Sequence, residues 1–275
     1  MERMLDIRQA VCGYRSGKNT KVVISGLDMC VRPGEIMCVL GRNGAGKTTL
    51  FRTILGSLPL LSGRIEIDRT DLSSMSRSQI ARRIAYVPQS HVPPFPFSVR
   101  QVVEMGRVSH MRIYQTPSEK DRRAAENALE VMGIQSLAEQ PYTDISGGER
   151  QLVLIARAIA QEADYLIMDE PSASLDFGNQ VRVMELIRRL AEDGHGIIMT
   201  THYPDQVFMA DSSCTVIKDR AHVLSGKAEQ ILTAQLLQEL YGIEARVLTS
   251  VSETGRTTRT VAVYGTALQG IGRSE

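Results

Sequence analysis

The chain has 275 residues, 43% hydrophobic and 23% charged, enough apolar content to bury one large domain or one domain carrying an inserted subdomain. Its 32 basic and 31 acidic residues leave a net charge of +1, which argues against a nucleic-acid partner gripped by a strongly basic face. No apolar run approaches the roughly 18 residues needed to cross a bilayer, Met1-Glu2-Arg3-Met4 does not lead into the apolar stretch of a signal peptide, and Cys12, Cys30, Cys38 and Cys214 form no C-x-x-C pair, so they read as small apolar residues in a reducing cytosol rather than a zinc or redox site.

In chain order, short strand-like runs alternate with longer helical patterns, the pattern of an α/β fold. Residues 22–31 and 35–40 read as strands, 47–55 as a helix, 64–67 as a strand, and 84–87 as a short strand ending at Pro88. From 99 to about 160 the pattern is mostly helical, broken at Pro117, Pro141 and Gly147-Gly148. Strand character returns at 164–168, followed by a helix from 176 to about 192 and a strand at 197–200. Short strands follow near 213–217 and 222–224. The layout predicts a parallel-sheet core interrupted by a helical insertion over about 90–161. Residues 250–275, rich in Thr, Ser and Gly, are expected to be weakly ordered or a small appendage.

Gly41-Arg42-Asn43-Gly44-Ala45-Gly46-Lys47-Thr48 fits G-x-x-x-x-G-K-[ST] and lies between an apolar strand and a helical run, the context that pattern requires. Glycines let backbone N–H groups close around a β-phosphate, and the new helix points its positive end at the anion. Lys47 supplies a cation for the β- and γ-phosphates, and the Thr48 hydroxyl is placed to coordinate Mg²⁺. The expected nucleotide contacts are Gly41, Asn43, Gly44, Ala45, Gly46, Lys47, Thr48 and Thr49. Downstream, Tyr165-Leu166-Ile167-Met168-Asp169-Glu170 is an apolar strand ending in two carboxylates. Such a strand delivers Asp169 to the sheet edge beside the phosphate loop, to hold Mg²⁺ directly or through water. Glu170 then faces the γ-phosphate and polarises the attacking water.

Between these motifs, Ile145-Ser146-Gly147-Gly148-Glu149-Arg150-Gln151 resembles the signature motif of ABC transporter ATPases. Physically it is a second anion site, in which Ser146 and the Gly147 and Gly148 amides open a helix and grip a γ-phosphate held by another subunit. The resemblance extends over about residues 4–226. It implies an α/β fold with a P-loop NTPase (RecA-like) core, an N-terminal antiparallel β-subdomain and the inserted helical subdomain, all within an ATPase domain over 1–249.

By the same resemblance, Gln89 after Tyr86-Val87-Pro88 matches the Q-loop glutamine that senses Mg²⁺ and the γ-phosphate. Ser174-Leu175-Asp176 matches the D-loop at the dimer interface, and His202 matches the switch histidine on the γ-phosphate. Tyr14 looks like the aromatic that stacks on adenine, with Val23 as a second apolar contact, although 15–21 looks long for the connection to the next strand. The resemblance implies ATP and Mg²⁺ as ligands, a homodimer, an integral membrane permease, an indirectly engaged extracytoplasmic substrate-binding protein, and residence on the cytoplasmic face of the membrane. Ile145, Glu149 and Ser172 depart mildly from the commonest pattern, and none of the three removes a catalytic group.

The segment 98–110, together with Pro117 and Asp121 and the run 169–180, is similar to importers of iron–siderophore complexes, haem and cobalamin. Other metal-ion, oxyanion or export ATPases stay open. Phe95 and Phe97 read either as a permease-docking groove or as packing inside the helical subdomain, and His110 reads as structural or solvated. Soluble ABC ATPases acting on DNA or ribosomes generally carry two cassettes or a long coiled coil, and neither is present. A guanine-reading N-K-x-D motif is also missing.

Overall fold

A computed structural model describes residues 3–17, 19–89, 95–112, 115–173, 175–251, 253, 255 and 257–266. Along the chain run β1 (Leu5–Ser16), β2 (Asn19–Val31), β3 (Ile36–Gly41), α1 (Lys47–Ile54), β4 (Ser62–Ile67), β5 (Thr70–Asp71), α2 (Arg77–Arg83), β6 (Ile84–Val87), α3 (Val99–Glu104), α4 (Glu119–Val131) and α5 (Gly147–Ala160). Then come β7 (Tyr165–Met168), α6 (Phe177–Glu192), β8 (Gly196–Thr201), α7 (Pro204–Met209), β9 (Ser213–Ile217), β10 (Val223–Lys227), α8 (Ala228–Ile231), α9 (Ala234–Tyr241), β11 (Ile243–Val251) and β12 (Thr257–Thr266).

The central sheet has the order β10-β9-β3-β8-β7-β6, parallel except for β10 at one edge. Both faces of its inner strands are covered, so β3, β7 and β8 are buried along their whole length rather than at alternate positions. The period of two still sorts side chains between two cores. Cys38, Leu40, Leu166, Met168, Ile197 and Met199 face helices α3 to α6. Met37, Val39, Ile167 and Ile198 face α1 and a second, antiparallel sheet of order β2-β1-β4-β5. The expected core, antiparallel subdomain and helical insertion are all present.

Strand β1 escapes the sequence pattern for a local reason. Its buried residues change parity, from Leu5 and Ile7 to Ala10 and Cys12, across a register shift. Gln9 there takes φ +47°, and this bulge inserts a residue and hides the period of two. The long connection after Tyr14 is strand as well: Tyr14 pairs with Lys21 and Ser16 with Asn19.

Four helices open with the same device. Ser76, Ser98, Ser118 and Ser146 each accept from the amide three residues on, while Gln79, Gln101, Asp121 and Glu149 reach back to the cap's own N–H. Within the insertion, Arg107 is buried and donates to Asp121 Oδ1 at 3.0 Å, Glu162 Oε2 at 2.8 Å and the Ala160 carbonyl at 2.7 Å. It therefore ties the start of α4 to the end of α5. Replacing it with methionine (R107M) leaves Asp121 without its buried cation, at an expected cost of about 3–5 kcal/mol in a urea titration.

The Ser118 hydroxyl and amide, with Arg107, hold the Asp121 carboxyl down to about 2. Its folded value is thus depressed, so its contribution to stability is complete above the ordinary carboxylate range of about 4. That contribution is lost as pH falls toward 2. The urea midpoint of the native chain is expected to drop through this window by more than that of R107M.

The C-terminal segment forms a hairpin of β11 and β12, with Val247 opposite Val261 and Ala245 opposite Val263. Strand β11 crosses the 249/250 boundary expected from composition, because the alternating apolar residues at 243–247 continue directly into the Thr/Ser-rich stretch. Asp205 of α7 anchors the hairpin, accepting from Val261 N at 2.7 Å and Thr260 Oγ1 at 2.9 Å.

Candidate functional site

The strand order decides where the chemistry lies. The C-terminal ends of β3, β6, β7 and β8 open onto one edge of the sheet, and each delivers residues just beyond its last pairing. Strand β3 runs into the glycine-rich turn and α1, β6 leads to Gln89, β7 to Asp169 and Glu170, and β8 to His202.

In the turn, Gly44 takes φ +81° and Gly46 φ +110°. A Cβ on Gly46 would also lie 2.7 Å from Val23 Cγ1 and 2.9 Å from Ile24 Cγ1, so this glycine is required twice over. Val23, expected as a second apolar contact beside Tyr14, packs against this turn. Lys47 opens α1 and is buried. Its ammonium donates to the Gly41 carbonyl at 2.7 Å and lies 4.0 Å from Glu170 Oε1. Burial pushes its pKa down, while Glu170 and Asp169 push it back up. Thr48 is exposed on the first turn of α1, whereas Thr49 is buried and bonded at 3.1 Å to the hydroxyl of Tyr14, which is 39% exposed.

Glu170 is the hub. Its Oε2 accepts from Gln89 Nε2 at 3.1 Å, and its Oε1 pairs with His202 Nε2. Lys47 Nζ lies 3.3 Å from His202 Nδ1. A protonated lysine can only donate, so Nδ1 is the acceptor and the imidazole proton sits on Nε2, facing Glu170. Glu170 itself holds φ +48°, an uncommon conformation for a side-chain-bearing residue, and its amide donates to Thr200 Oγ1 at 2.9 Å. Asp169 accepts from Thr200 Oγ1 at 2.7 Å and from Tyr86 OH at 3.4 Å. Burial, reinforced by Asp169, raises the Tyr86 phenol to about 12, so it stays a donor.

Lys47, Gln89, Glu170 and His202 thus converge, with Asp169 alongside. Ser146, Gly147, Gly148 and Asp176 do not join them: among the described residues, no hydrogen bond or ion pair links the two groups. They gather separately, where Asp176 caps α6 through the Asn179 amide at 2.9 Å, and a Cβ on Gly148 would touch Asn179 Nδ2 at 3.5 Å and Leu175 Cδ2 at 3.6 Å. Ser174 lies outside the described residues, as do Pro93 and Pro94. Phe97 packs onto the core, while Phe95 is 63% exposed and meets it edge-on, with ring centroids 6.0 Å apart. His110 is structural, its Nε2 bonded to the Gln161 carbonyl at 2.8 Å.

The sequence reading passed over Thr200 and Tyr86. Two signals were available: Thr200 is a polar residue at the end of an apolar buried strand and two before His202, hence on the same face, and Tyr86 lies on the strand that delivers Gln89.

The donors around the loop also suit Mg²⁺. Thr48, Asp169 and the Gln89 amide oxygen are hard oxygen ligands, and Gln89 spends its N–H on Glu170, which frees that oxygen. Among the described residues no group of three or more His, Cys, Asp or Glu assembles to cage a metal.

Comparison with known proteins agrees with this geometry. Residues 24–173 match the family model described as ABC transporter. An uncharacterized ABC transporter ATP-binding protein of Haemophilus influenzae is 40% identical over 245 residues, 89% of this chain and 92% of that one. The molybdate import ATP-binding protein MolC of the same organism is 36% identical, covering 78% of this chain and 80% of that one. Relatives named for hemin, cobalamin, petrobactin and manganese match at 30 to 33% identity. A chain from an inward-facing ABC transporter of metal-chelate type has TM-score 0.82 at 29% identity, covering 95% of this chain and 98% of that one. A glycine-rich turn, two carboxylates and a histidine at one sheet edge, in a chain matched over most of its length, establish that this protein belongs to the ABC transporter family as an ATP-hydrolysing subunit.

Proposed function

We propose that two copies of this chain sandwich ATP and drive a membrane permease that imports a metal chelate of the iron–siderophore, haem or cobalamin type. In this reading residues 1–249 are the ATPase domain, with the helical insertion over about 90–161, docked on the cytoplasmic face of the membrane. No helix among the described residues is long and apolar enough to span a bilayer, so a separate permease supplies the path. A substrate-binding protein outside the cell delivers the cargo, and nucleic acid has no part.

The observation that carries the sandwich is Gly147. A Cβ there would meet nothing within 4 Å among the described residues, and its φ is not in the left-handed region, so the space beside it is open. The reading assigns that space to the triphosphate held by the Gly41–Gly46 turn, Lys47, Thr48 and Thr49 of the other copy. Tyr14 stacks on adenine, and Asp176 lies at the joint between copies.

In the reaction, Lys47 steadies the β- and γ-phosphates and Gln89 fixes the Glu170 carboxylate. Glu170 accepts the proton of a water whose oxygen attacks the γ-phosphorus, and the bond from phosphorus to the ADP oxygen breaks. His202 turns its Nε2–H from Glu170 to the γ-phosphate. Thr48, Asp169 and Gln89 would hold Mg²⁺, which would supply positive charge to the phosphates. Loss of the bridging γ-phosphate lets the dimer reopen.

The metal-chelate fold neighbour and the hemin, cobalamin and petrobactin relatives support this cargo class, and the molybdate relative supports an oxyanion instead. The test is co-purification with the permease, followed by uptake into vesicles. ATP-dependent uptake of an iron chelate, with molybdate ignored, supports the proposal, and the reverse preference overturns the cargo.

A further inference from the structure

From the geometry we infer that Thr200 is a positioning residue for ATP hydrolysis, its single hydroxyl tying Asp169 to Glu170. This rests on the roles proposed above for those two carboxylates. Thr200 is completely buried in β8. Its O–H donates to Asp169 Oδ1 at 2.7 Å, and its lone pair accepts the Glu170 N–H at 2.9 Å. One hydroxyl therefore uses its donor and an acceptor on consecutive residues of β7's exit, and both bonds are part-buried.

The arrangement has a physical purpose. Glu170 sits at φ +48°, where a non-glycine backbone persists only if its surroundings hold it. The Thr200 acceptor supplies that hold, so the peptide cannot relax and swing the Glu170 carboxylate out of line. The other end of the Asp169 carboxylate accepts from Tyr86 on β6 at 3.4 Å. Its plane is thus fixed from both neighbouring strands, β8 and β6. The two carboxylates then move as one unit with the sheet edge. Among the described residues the Thr200 hydroxyl bonds Asp169 and Glu170 rather than Lys47 or the glycine turn, so metal-free nucleotide binding is not expected to depend on it.

The test compares T200V and T200S in the full-length chain. Valine keeps the shape and loses both bonds, while serine keeps both bonds. T200V is expected to lower kcat about tenfold to a hundredfold, since a misplacement of about 1 Å costs that much. It should also weaken the gain in ATP affinity that Mg²⁺ brings, measured by calorimetry, while ATP affinity in EDTA stays within about twofold of wild type. T200S should restore both readouts.

The inference is overturned if T200V turns over and responds to Mg²⁺ as wild type does. It is also overturned if T200V loses EDTA affinity in parallel with kcat, because that marks a general structural role. If T200V does not fold, T200A carries the same expectations without added bulk. E170Q run beside them separates the two levels. Normal turnover in E170Q removes the carboxylate assignment itself, whereas an inactive E170Q with a normal T200V removes only the inference on Thr200.

Discussion

Glu170→Gln is expected to cut phosphate release by about 10²–10⁴-fold while leaving ATP bound, because on the proposed assignment it deletes a general base and little else. The amide has the volume of the carboxylate and still offers an oxygen to Gln89, whose Nε2 now donates to Glu170 at 3.1 Å. The backbone bond from residue 170 to Thr200 is also untouched. What disappears is the capacity to take a proton and the anionic partner of His202 and Lys47. In the proposed sandwich, ATP that persists between the copies favours the closed dimer by mass action. Two measurements check this: phosphate release at saturating ATP, and molecular mass by light scattering with and without ATP. Turnover at the native rate would remove Glu170 from the role of base. A turnover-blocked variant that stays monomeric in ATP would instead remove the sandwich.

Lys47→Ala acts one step earlier, on binding. The ammonium is buried, its pKa is pushed down by that burial, and it is held against the Gly41 carbonyl and next to Glu170. A cation is kept in such a place at a desolvation cost, which phosphate oxygens offset through charge-assisted hydrogen bonds worth about 1.5–3 kcal/mol each. Truncation should therefore weaken ATP affinity about tenfold to a hundredfold or more, read by calorimetric titration. Unchanged affinity would refute the role. Because alanine also strips the Gly41 carbonyl of its donor, a thermal melt belongs beside the titration. The two variants part cleanly: E170Q keeps nucleotide and loses turnover, while K47A loses both.

Much of this protein is legible without coordinates, because the informative features are local. The glycine turn at 41–46 declares itself, since Lys47 and Thr48 must follow it immediately to reach a phosphate. Asp169 and Glu170 are announced by the four-residue apolar strand that delivers them. The serine caps and their partners three residues on fit within single helical turns. The same holds for α9, where Thr233 caps the start and Gly242 closes the end at φ +68°. Where a local rule is broken, the reading fails: the bulge at Gln9 shifts the parity of β1, and a whole strand goes unseen.

What only tertiary structure decides is which distant segments share an edge. Periodicity assigns a residue to a face, but it does not order the strands of a sheet. The placement of β8 between β3 and β7 brings His202 to Lys47 and Thr200 to Asp169, contacts that span 155 and 31 residues of sequence. It is also what seats the C-terminal hairpin on Asp205, three residues beyond His202. The sequence alone determined the chemistry available to this protein, because side-chain type and short spacing set it. The fold decided which of those groups act together, because hydrogen bonds reach about 3 Å and only the packed sheet brings the groups within that distance.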